Sequence, residues 1–335
     1  MSGRRRMNMP AMLRLMELAD YVIPFALRAM AEHRVADHLA AGPRTSAELA
    51  AATGLHRDTL ERLLRALTCK DVFAEPEPGV FALSPLAEPL RSDHPHSLRE
   101  SALLEPAEVQ AWADVIHSLR TGSAAFDHVH GRSYHDCGGP APHADRVQAP
   151  HALLAHTLLP AYAWEQISHL VDVGCGVGAF TAALLSANPA MTATLLDRPD
   201  VIDAAAETVR RAGVADRAAM VAGDFFDEVP KGADAYLLKA VLKEWDDDVA
   251  ARILASVRAA MRPDSRLLVL EALPDPDDDR RLGRMLDVEQ LVLRGSPARD
   301  YDALCTLLRT AGLRPVHLVR TPTLTVIEAR GKDWA

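Results

Sequence analysis

The spacing of apolar residues along the chain changes near residue 169. Residues 11–40 carry apolar side chains at helical intervals and predict a Met-rich helical surface that packs in a core or against a partner helix. Beyond residue 169, short apolar runs alternate with longer helical stretches, and the runs read HLVDVGCG, ATLLD, AAMVAGDFF, DAYLLKAV and SRLLVLEAL. This alternation predicts a mostly parallel sheet with helices on both faces. The late segment PVHLVRTPTLTVIEARG predicts two further strands that join the sheet antiparallel.

The segment between residues 44 and 84 has the pattern of a winged helix. Thr45 or Ser46 is placed to cap a short helix that Gly54 ends, a second helix follows, and FAEPEPGVFALS predicts two strands around a Pro-Gly turn. A winged helix can bind DNA or hold two chains together. Glu75 and Glu77 in the wing would face phosphates with the wrong sign, which favours a structural or dimerising role.

Length and charge limit the possible classes of protein. A chain of 335 residues can form two cores, and its net charge of −9 with a pI near 5.9 argues against general nucleic-acid binding. No apolar run approaches the roughly 20 residues of a membrane span. The arginine cluster at residues 4–6 is not followed by the apolar stretch of a signal peptide, so we expect a cytoplasmic protein without a membrane partner.

The cysteines show no metal-ligand spacing, and the surroundings of the histidines favour a loop over a metal site. The four cysteines lie far apart without a CxxC pair, which is typical of free thiols in a reducing compartment. Several of the 14 histidines fall within HVHGRSYHDCGGPAPH, where the glycines and prolines indicate a loop. The sequence therefore predicts no metal site.

The ends of three successive predicted strands carry the groups that an adenosine needs. LVDVGCGVGAF places Gly174, Gly176 and Gly178 between a strand and a helix, where backbone amides can approach a ligand closely. Asp197 ends the second strand and is placed to accept hydrogen bonds from ribose hydroxyls. Asp224 and Phe225 follow the third and are placed to contact an adenine. The loop lacks the last glycine of the dinucleotide fingerprint, so a second adenosyl cofactor, S-adenosylmethionine, fits better than NAD.

In these motifs the chain resembles class I S-adenosylmethionine-dependent O-methyltransferases, and more narrowly the plant caffeate-type and actinobacterial polyketide-tailoring group. The resemblance covers nearly the whole chain. It implies an N-terminal helical winged-helix dimerisation domain (1–95), a helical linker that contributes to the acceptor pocket (96–165) and a Rossmann-like catalytic domain (166–335). It also implies a homodimer, S-adenosylhomocysteine as the spent cofactor, and an aromatic, polyketide-derived acceptor in antibiotic-type biosynthesis.

The resemblance assigns site residues where the motifs match. It implies that Gly174 and Gly176 flank the methionine part of the cofactor, Asp197 binds the ribose, and Asp224 and Phe225 lie at the adenine. LLKAVLKEWDDD matches a further family motif and GRSYHD resembles another. The first of these matches places Lys239 and Trp245 beside the cofactor, and the second places Tyr134 near it. An alignment that crosses a gap places Arg146 at the cofactor carboxylate.

The residues expected to accept the hydroxyl proton differ from the plant-type pattern. Lys243 stands where those enzymes have a catalytic histidine, Glu271 matches one of the two acids that orient it, and Ala298 replaces the other. Lys243 then has three possible roles: a base, a charge that holds the substrate, or a bystander. Because Glu244 and the three following aspartates would raise the pKa of a nearby lysine, the sequence favours catalysis by positioning over a lysine base.

The acceptor pocket is predicted between the helices of residues 105–160 and the segment RRLGRMLDVEQLVLRG. Met285, Asp287 and Leu291 are expected to face one side of that segment and to line the pocket. Two other classes of function stay open. One is a former methyltransferase that uses its bound cofactor for hydroxylation or decarboxylation of a similar substrate. The other is a winged-helix regulator that senses a small ligand.

Overall fold

The computed structural model describes residues 8–94, 97–134, 151–274, 282–295 and 298–332. The chain forms two compact units, Met1–Leu104 and Glu105–Ala335, so the helices that follow residue 105 belong to the same unit as the large sheet. Arg146 lies outside the described residues. Within the described parts, no helix has the length and apolar character needed to cross a membrane.

The first unit is helical with a small antiparallel sheet. Its helices are α1 (Met9–Leu18), α2 (Val22–Glu32), α3 (Val35–His38), α4 (Ser46–Thr53) and α5 (Arg57–Thr68), and its strands are β1 (Arg44–Thr45), β2 (Phe73–Glu77) and β3 (Val80–Leu83), in the order β1-β3-β2. The predicted helix-turn-helix and wing are thus present. The helical stretch predicted over residues 11–40 is three helices, because the chain turns at residues 19–21 and again at Arg34, whose φ is +51°.

Local sequence explains why α4 and α5 begin and pack where they do. Thr45 Oγ1 accepts the amide hydrogen of Glu48, and the Glu48 carboxylate accepts the amide hydrogen of Thr45, which forms a capping box. On α5, Leu60, Leu64 and Leu67 recur at helical spacing and are fully buried. They form the core of the first unit with the wing and helices α2 and α3.

In its described residues, the second unit begins with four helices and continues as an alternating α/β domain. Its helices are α6 (Pro106–Ala113), α7 (Val115–Thr121), α8 (Ala125–His130), α9 (His151–Leu158), α10 (Ala179–Ala187), α11 (Pro199–Arg211), α12 (Asp247–Ala260), α13 (Leu282–Arg294) and α14 (Tyr301–Thr310). Its strands are β4 (His169–Val173), β5 (Thr192–Asp197), β6 (Ala218–Ala222), β7 (Ala235–Lys239), β8 (Arg266–Glu271), β9 (Leu313–Arg320) and β10 (Thr325–Gly331).

These strands form one sheet in the order β6-β5-β4-β7-β8-β10-β9. Strands β4 to β8 pair in parallel, and β10 pairs antiparallel with both β8 and β9. The five predicted parallel strands and the two antiparallel additions are confirmed. Side chains of the central strands are buried on both faces, one set packing against α9–α11 and the other against α12 and α14.

The strand order fixes where a ligand can bind. From β4 the chain proceeds outward to β5 and β6 on one side, then returns to place β7 and β8 on the other side. Open α/β sheets bind ligands at the carboxyl ends of strands, where the order reverses in this way. The residues that follow β4, β5, β6, β7 and β8 therefore share one edge of the sheet.

Candidate active site

The loop between β4 and α10 brings backbone close to its surroundings. Gly174, Gly176 and Gly178 all have positive φ, between +57° and +74°. A Cβ built on Gly174 would lie 2.9 Å from Cγ2 of Val241 and 3.6 Å from the Phe225 ring, so a side chain there would fill the space that the loop encloses. Only glycine combines this backbone conformation with this close approach.

Asp197 lies at the end of β5 and faces the same loop. Its Oδ2 accepts the amide hydrogen of Gly176 at 2.8 Å, and its Oδ1 accepts the amide hydrogen of Arg198 at 2.8 Å. Burial raises the pKa of Asp197, an effect that these two hydrogen bonds oppose. A carboxylate offers about four acceptor positions, so each oxygen keeps capacity for a ligand hydroxyl.

Phe225 and Trp245 form an aromatic wall beyond β6. The Phe225 ring contacts Phe226, with ring centroids 4.8 Å apart, and the edge of Trp245 meets Phe226 at 5.2 Å. Asp224 Oδ1 accepts the amide hydrogen of Phe226, which fixes the turn after the strand. Trp245 thus reaches the glycine loop through the two phenylalanines, and its ring centroid lies 6.5 Å from that of Phe225.

This edge of the sheet fits an adenosyl cofactor. It supplies a glycine cradle at β4, a carboxylate at β5 with free acceptor capacity, and an aromatic ring beside a carboxylate at β6. At β7, the buried Lys239 ends the strand, and the following Ala240 has a positive φ of +58°. A non-glycine residue in that conformation carries backbone strain, which is typical of functional sites.

Lys243 lies on a short 3₁₀ turn, Leu242–Glu244, directly after β7. Its amide hydrogen is donated to Glu271 Oε1 at 3.2 Å, and its carbonyl oxygen accepts a hydrogen from Gln290 Nε2 at 2.6 Å. The backbone of Lys243 is therefore held between the end of β8 and α13. Glu271 is buried, and no described residue gives a hydrogen bond to its other oxygen, Oε2.

Two comparisons with known proteins decide the family of this chain. Residues 111–314 match the model of an O-methyltransferase domain, and residues 16–93 match that of an O-methyltransferase dimerisation domain. The chain is 36% identical to a phenazine O-methyltransferase, PhzM, of Lysobacter antibioticus, over 94% of this chain and 95% of that protein. The chain belongs to the O-methyltransferase family.

Solved structures agree with this O-methyltransferase assignment. The structure titled LaPhzM superposes with a TM-score of 0.89 at 35% identity, covering 96% of this chain and 99% of that one. NcsB1, an O-methyltransferase from neocarzinostatin biosynthesis solved with S-adenosylmethionine and 2-hydroxy-5-methyl naphthoic acid, superposes with a TM-score of 0.75 at 34% identity, covering 94% and 98%. The fold class is confirmed, and S-adenosylmethionine is the cofactor of this O-methyltransferase.

The pKa of Lys243 is shifted in the direction opposite to the one expected from the sequence. Desolvation dominates and lowers the pKa of Lys243, although Glu244, Glu271 and Glu289 oppose that effect. The expected upward shift is therefore wrong. One reason is that Asp246 and Asp247 bind elsewhere, because Asp246 caps α12 and Asp247 accepts from Arg299.

Two acids near Lys243 have pKa values well above those of ordinary carboxyl groups. Burial raises the pKa of Glu271 to about 7, and the Lys243 charge opposes the shift. Burial likewise raises the pKa of Glu289 on α13 to about 7, with Lys243 and Arg294 opposing it. A carboxyl group whose pKa lies near neutrality can exchange protons at physiological pH.

Tyr134 packs against the helical wall of this unit. Its hydroxyl donates to Glu108 Oε1 at 2.7 Å, the Arg294 guanidinium lies 4.2 Å from its ring centroid, and the edge of its ring meets Phe126. Burial raises the pKa of the Tyr134 hydroxyl well above its usual range, so it remains a hydrogen-bond donor. Its predicted place near the cofactor stays a prediction, as does the role of Arg146.

The three residues predicted to line the acceptor pocket do not share one face of α13. Met285 and Asp287 are two positions apart and so point roughly 200° from each other on a helix. Met285 is 71% exposed, whereas Asp287 Oδ1 accepts the amide hydrogen of Ala298 at 2.8 Å. Leu291 is partly buried. The predicted common face is wrong, and a pocket role for each residue stays a prediction.

Sequence reasoning missed four polar residues that surround Lys243 or Tyr134. They are Glu108 on α6 and Glu289, Gln290 and Arg294 on α13. A signal was present, since EQLVLR places three polar residues in a stretch whose Val292 and Leu293 are fully buried. Polar side chains on the buried part of a helix require partners, and those partners come from distant segments of the chain.

Proposed function

We propose that this O-methyltransferase methylates a hydroxyl group of an aromatic, polyketide-derived small molecule. One observation carries the proposal: Lys243 and Glu271 lie at the carboxyl ends of β7 and β8, at the same sheet edge as the glycine loop after β4 and Asp197 at the end of β5. Relatives named for a phenazine and solved with a naphthoic acid support an aromatic acceptor.

S-Adenosylmethionine, when bound, supplies a methyl group carried on a positively charged sulfur. We propose that Gly174 and Gly176 flank its methionine part, where the lack of side chains lets the backbone come close, and that Asp197 accepts hydrogen bonds from the ribose. Asp224 and Phe225 would flank the adenine, with Trp245 supporting that wall from behind. Three further cofactor contacts are carried over from the family motifs: Lys239, Tyr134 and Arg146.

The acceptor side combines a cation with two acids. Glu289 takes the proton of the acceptor hydroxyl, and the Lys243 ammonium stabilises the oxygen anion that results. Lys243 also pairs with a carboxylate on acceptors that carry one. Glu271 is a positioning residue because its contact is with the Lys243 backbone. The rest of the rate enhancement comes from holding the acceptor in reactive geometry, an effect worth ~7–11 kcal/mol in favourable intramolecular reactions.

The test is product mass with a panel of phenolic acids and hydroxyquinones. We expect a gain of one methyl group with the wild type, and a kcat/KM about 100-fold lower for Lys243→Met, which keeps the bulk of the side chain without its charge. Lys231→Met removes an exposed lysine and should leave activity unchanged. Full activity of Lys243→Met on every acceptor would show that Lys243 is a bystander.

A second candidate function is hydroxylation with the cofactor retained. It is favoured by the absent histidine and by a relative named aclacinomycin 10-hydroxylase RdmB, from Streptomyces purpurascens, which is 34% identical over 89% of this chain and 83% of that protein. Oxidised or demethylated products without any methyl ether, under aerobic conditions with bound cofactor, would select this candidate.

We also propose that two copies associate through residues 1–95. Helix α1 has no buried residue, and Leu15, Met16 and Leu18 are each more than 65% exposed. The match to a dimerisation domain makes a second copy the natural cover for this surface. DNA binding is disfavoured because Arg65 of α5 is engaged by Glu61 and Glu75. Salt-dependent duplex binding by the full chain would instead support a ligand-sensing regulator.

We further propose the predicted three-part organisation, with 96–165 joining the dimerisation domain to the catalytic domain 166–335 and contributing to the pocket. A cytoplasmic location is supported by Cys69, Cys175 and Cys305, none of which is in a disulfide.

A further inference from the structure

Two histidines and an aspartate meet at the surface of the second unit. Asp114 joins α6 to α7, His117 lies on α7, and His128 lies on α8. The two imidazole rings are stacked with centroids 4.0 Å apart and an angle of 7° between their planes, and His128 Nε2 lies 3.7 Å from Asp114 Oδ2. One nitrogen or oxygen from each of the three side chains falls within 4.8 Å of the others.

This set of atoms suits a borderline transition-metal ion. Two imidazole nitrogens and a carboxylate oxygen are ligands of zinc and its neighbours, whereas calcium and magnesium prefer oxygen alone. Metal–ligand bonds of about 2.0–2.2 Å place two ligand atoms roughly 3.3 Å apart in a tetrahedral site. The three atoms here lie within 4.8 Å of one another, so they need to approach by up to about 1.5 Å. One ring also has to turn out of the stack, because the in-plane lone pairs of two parallel rings do not meet at one point. The 57% exposed His128 side chain has the freedom to make both movements.

The Asp114 carboxylate adds the negative charge that a dication needs, and its side chain is 43% exposed, which leaves a path for a hydrated ion.

We propose that Asp114, His117 and His128 bind one divalent transition-metal ion of the zinc class, with water completing the coordination. The ion would connect α7 to α8, two helices of seven and six residues that are too short to be stable alone. Its role would be structural, because α8 carries Phe126, which packs against Tyr134 and the buried part of α13.

Zinc titration of tag-free, chelator-treated full-length protein tests this site. By calorimetry, we expect one ion per chain, with the affinity at least about tenfold lower in His117→Ala and in His128→Ala. His33→Ala removes an exposed histidine of the first unit and should bind as the wild type does. Cobalt should give the absorption of a four-coordinate site in the wild type alone.

Thermal unfolding in EDTA serves as the control for correct folding. There the wild type and the variants should have the same unfolding midpoint. Zinc should then raise the midpoint of the wild type and not that of the variants. Asp114→Asn, which keeps the shape of the side chain, should show an intermediate affinity. Zinc affinity unchanged in both histidine variants, or no saturable binding by the wild type, would overturn the proposal.

Discussion

At the residue scale, the proposed chemistry depends on how burial changes the pKa values of three side chains. Lys243, Glu271 and Glu289 lie within electrostatic reach of one another, and desolvation moves the pKa of the lysine down and those of the acids up. A lysine with acidic neighbours in water would show the opposite shift. The same side chains therefore acquire a different chemistry because the folded chain removes water from them.

Glu289→Gln should remove the pH dependence that a base imposes on the reaction. Because the pKa of Glu289 is raised to about 7, kcat/KM of the wild type should rise with pH through about 7 and level off above it. For Glu289→Gln we expect a low kcat/KM that does not change with pH over this range.

Glu271→Gln serves as the comparison, because the pKa of Glu271 is also near 7. If Glu289 is the base, Glu271→Gln keeps the rising limb. Loss of that limb in Glu271→Gln and its retention in Glu289→Gln would assign the base to Glu271.

Glu271 should also make stability depend on pH. Its pKa is near 4.5 in the unfolded chain and about 7 in the folded one, so the folded chain holds the proton that the unfolded chain has released. The stabilisation is full below about pH 4.5 and is lost as pH rises through 7, with an upper limit of about 3 kcal/mol.

The free energy of unfolding of Glu271→Gln, relative to the wild type, should therefore increase between about pH 5 and pH 8. Denaturant unfolding at both pH values measures this difference. Glu228→Gln, at an exposed position, should follow the wild type at both. If the free energy of unfolding of Glu271→Gln differed from that of the wild type by the same amount at both pH values, the raised pKa of Glu271 would be contradicted.

At the element scale, the proposed role of the β4–α10 loop at the cofactor depends on how closely its backbone approaches its neighbours. Gly178 begins α10 with a φ of +70°, and a Cβ there would lie 2.9 Å from Leu195 Cδ2 and 3.1 Å from Ala205 Cβ. The glycine therefore allows α10 to pack closely on β5 and α11, which sets the position of the loop before it.

Gly178→Ala should lower both stability and cofactor affinity. Its matched control is Gly213→Ala, where φ is also +70° but no atom lies within 4 Å of the new Cβ. We expect a loss of about 1–2 kcal/mol from backbone strain in both variants, and a further 1–3 kcal/mol from the contacts in Gly178→Ala only. Denaturant unfolding and S-adenosylmethionine titration measure the two effects. Equal losses in the two variants would show that packing at Gly178 is unimportant.

At the scale of the whole molecule, the chain has an exposed apolar surface on α1. The exposed apolar residues of α1 contrast with the buried leucines of α5 in the same unit. Exposed apolar area of this kind is stabilised by about 25 cal/mol for each Å² that a partner covers.

Leu15→Glu combined with Met16→Glu should therefore convert a dimer into a monomer. Light scattering after gel filtration measures the mass directly. Val316→Glu, on strand β9 and distant in sequence from α1, should leave the mass unchanged. A dimer that persists in the double variant at the same concentration would place the interface elsewhere.

Short segments of sequence are sufficient to specify the elements and the adenosyl cofactor of this protein. Strands, helices and caps follow from hydrophobic period and local hydrogen bonding, and the order of Gly174, Asp197 and Asp224 along the chain follows the order of strands β4, β5 and β6. Each of these features depends on a short segment, so each can be read without knowledge of distant residues.

The tertiary structure alone decided which distant side chains meet. It brought Glu289 near Lys243, Glu108 to Tyr134, and Asp114 and His117 to His128, pairs and clusters that no short segment contains. It also set the direction of the Lys243 pKa, because desolvation depends on everything packed around the ammonium group. Local pattern specifies backbone, whereas proton affinity and ligand geometry depend on contacts between segments far apart in the chain.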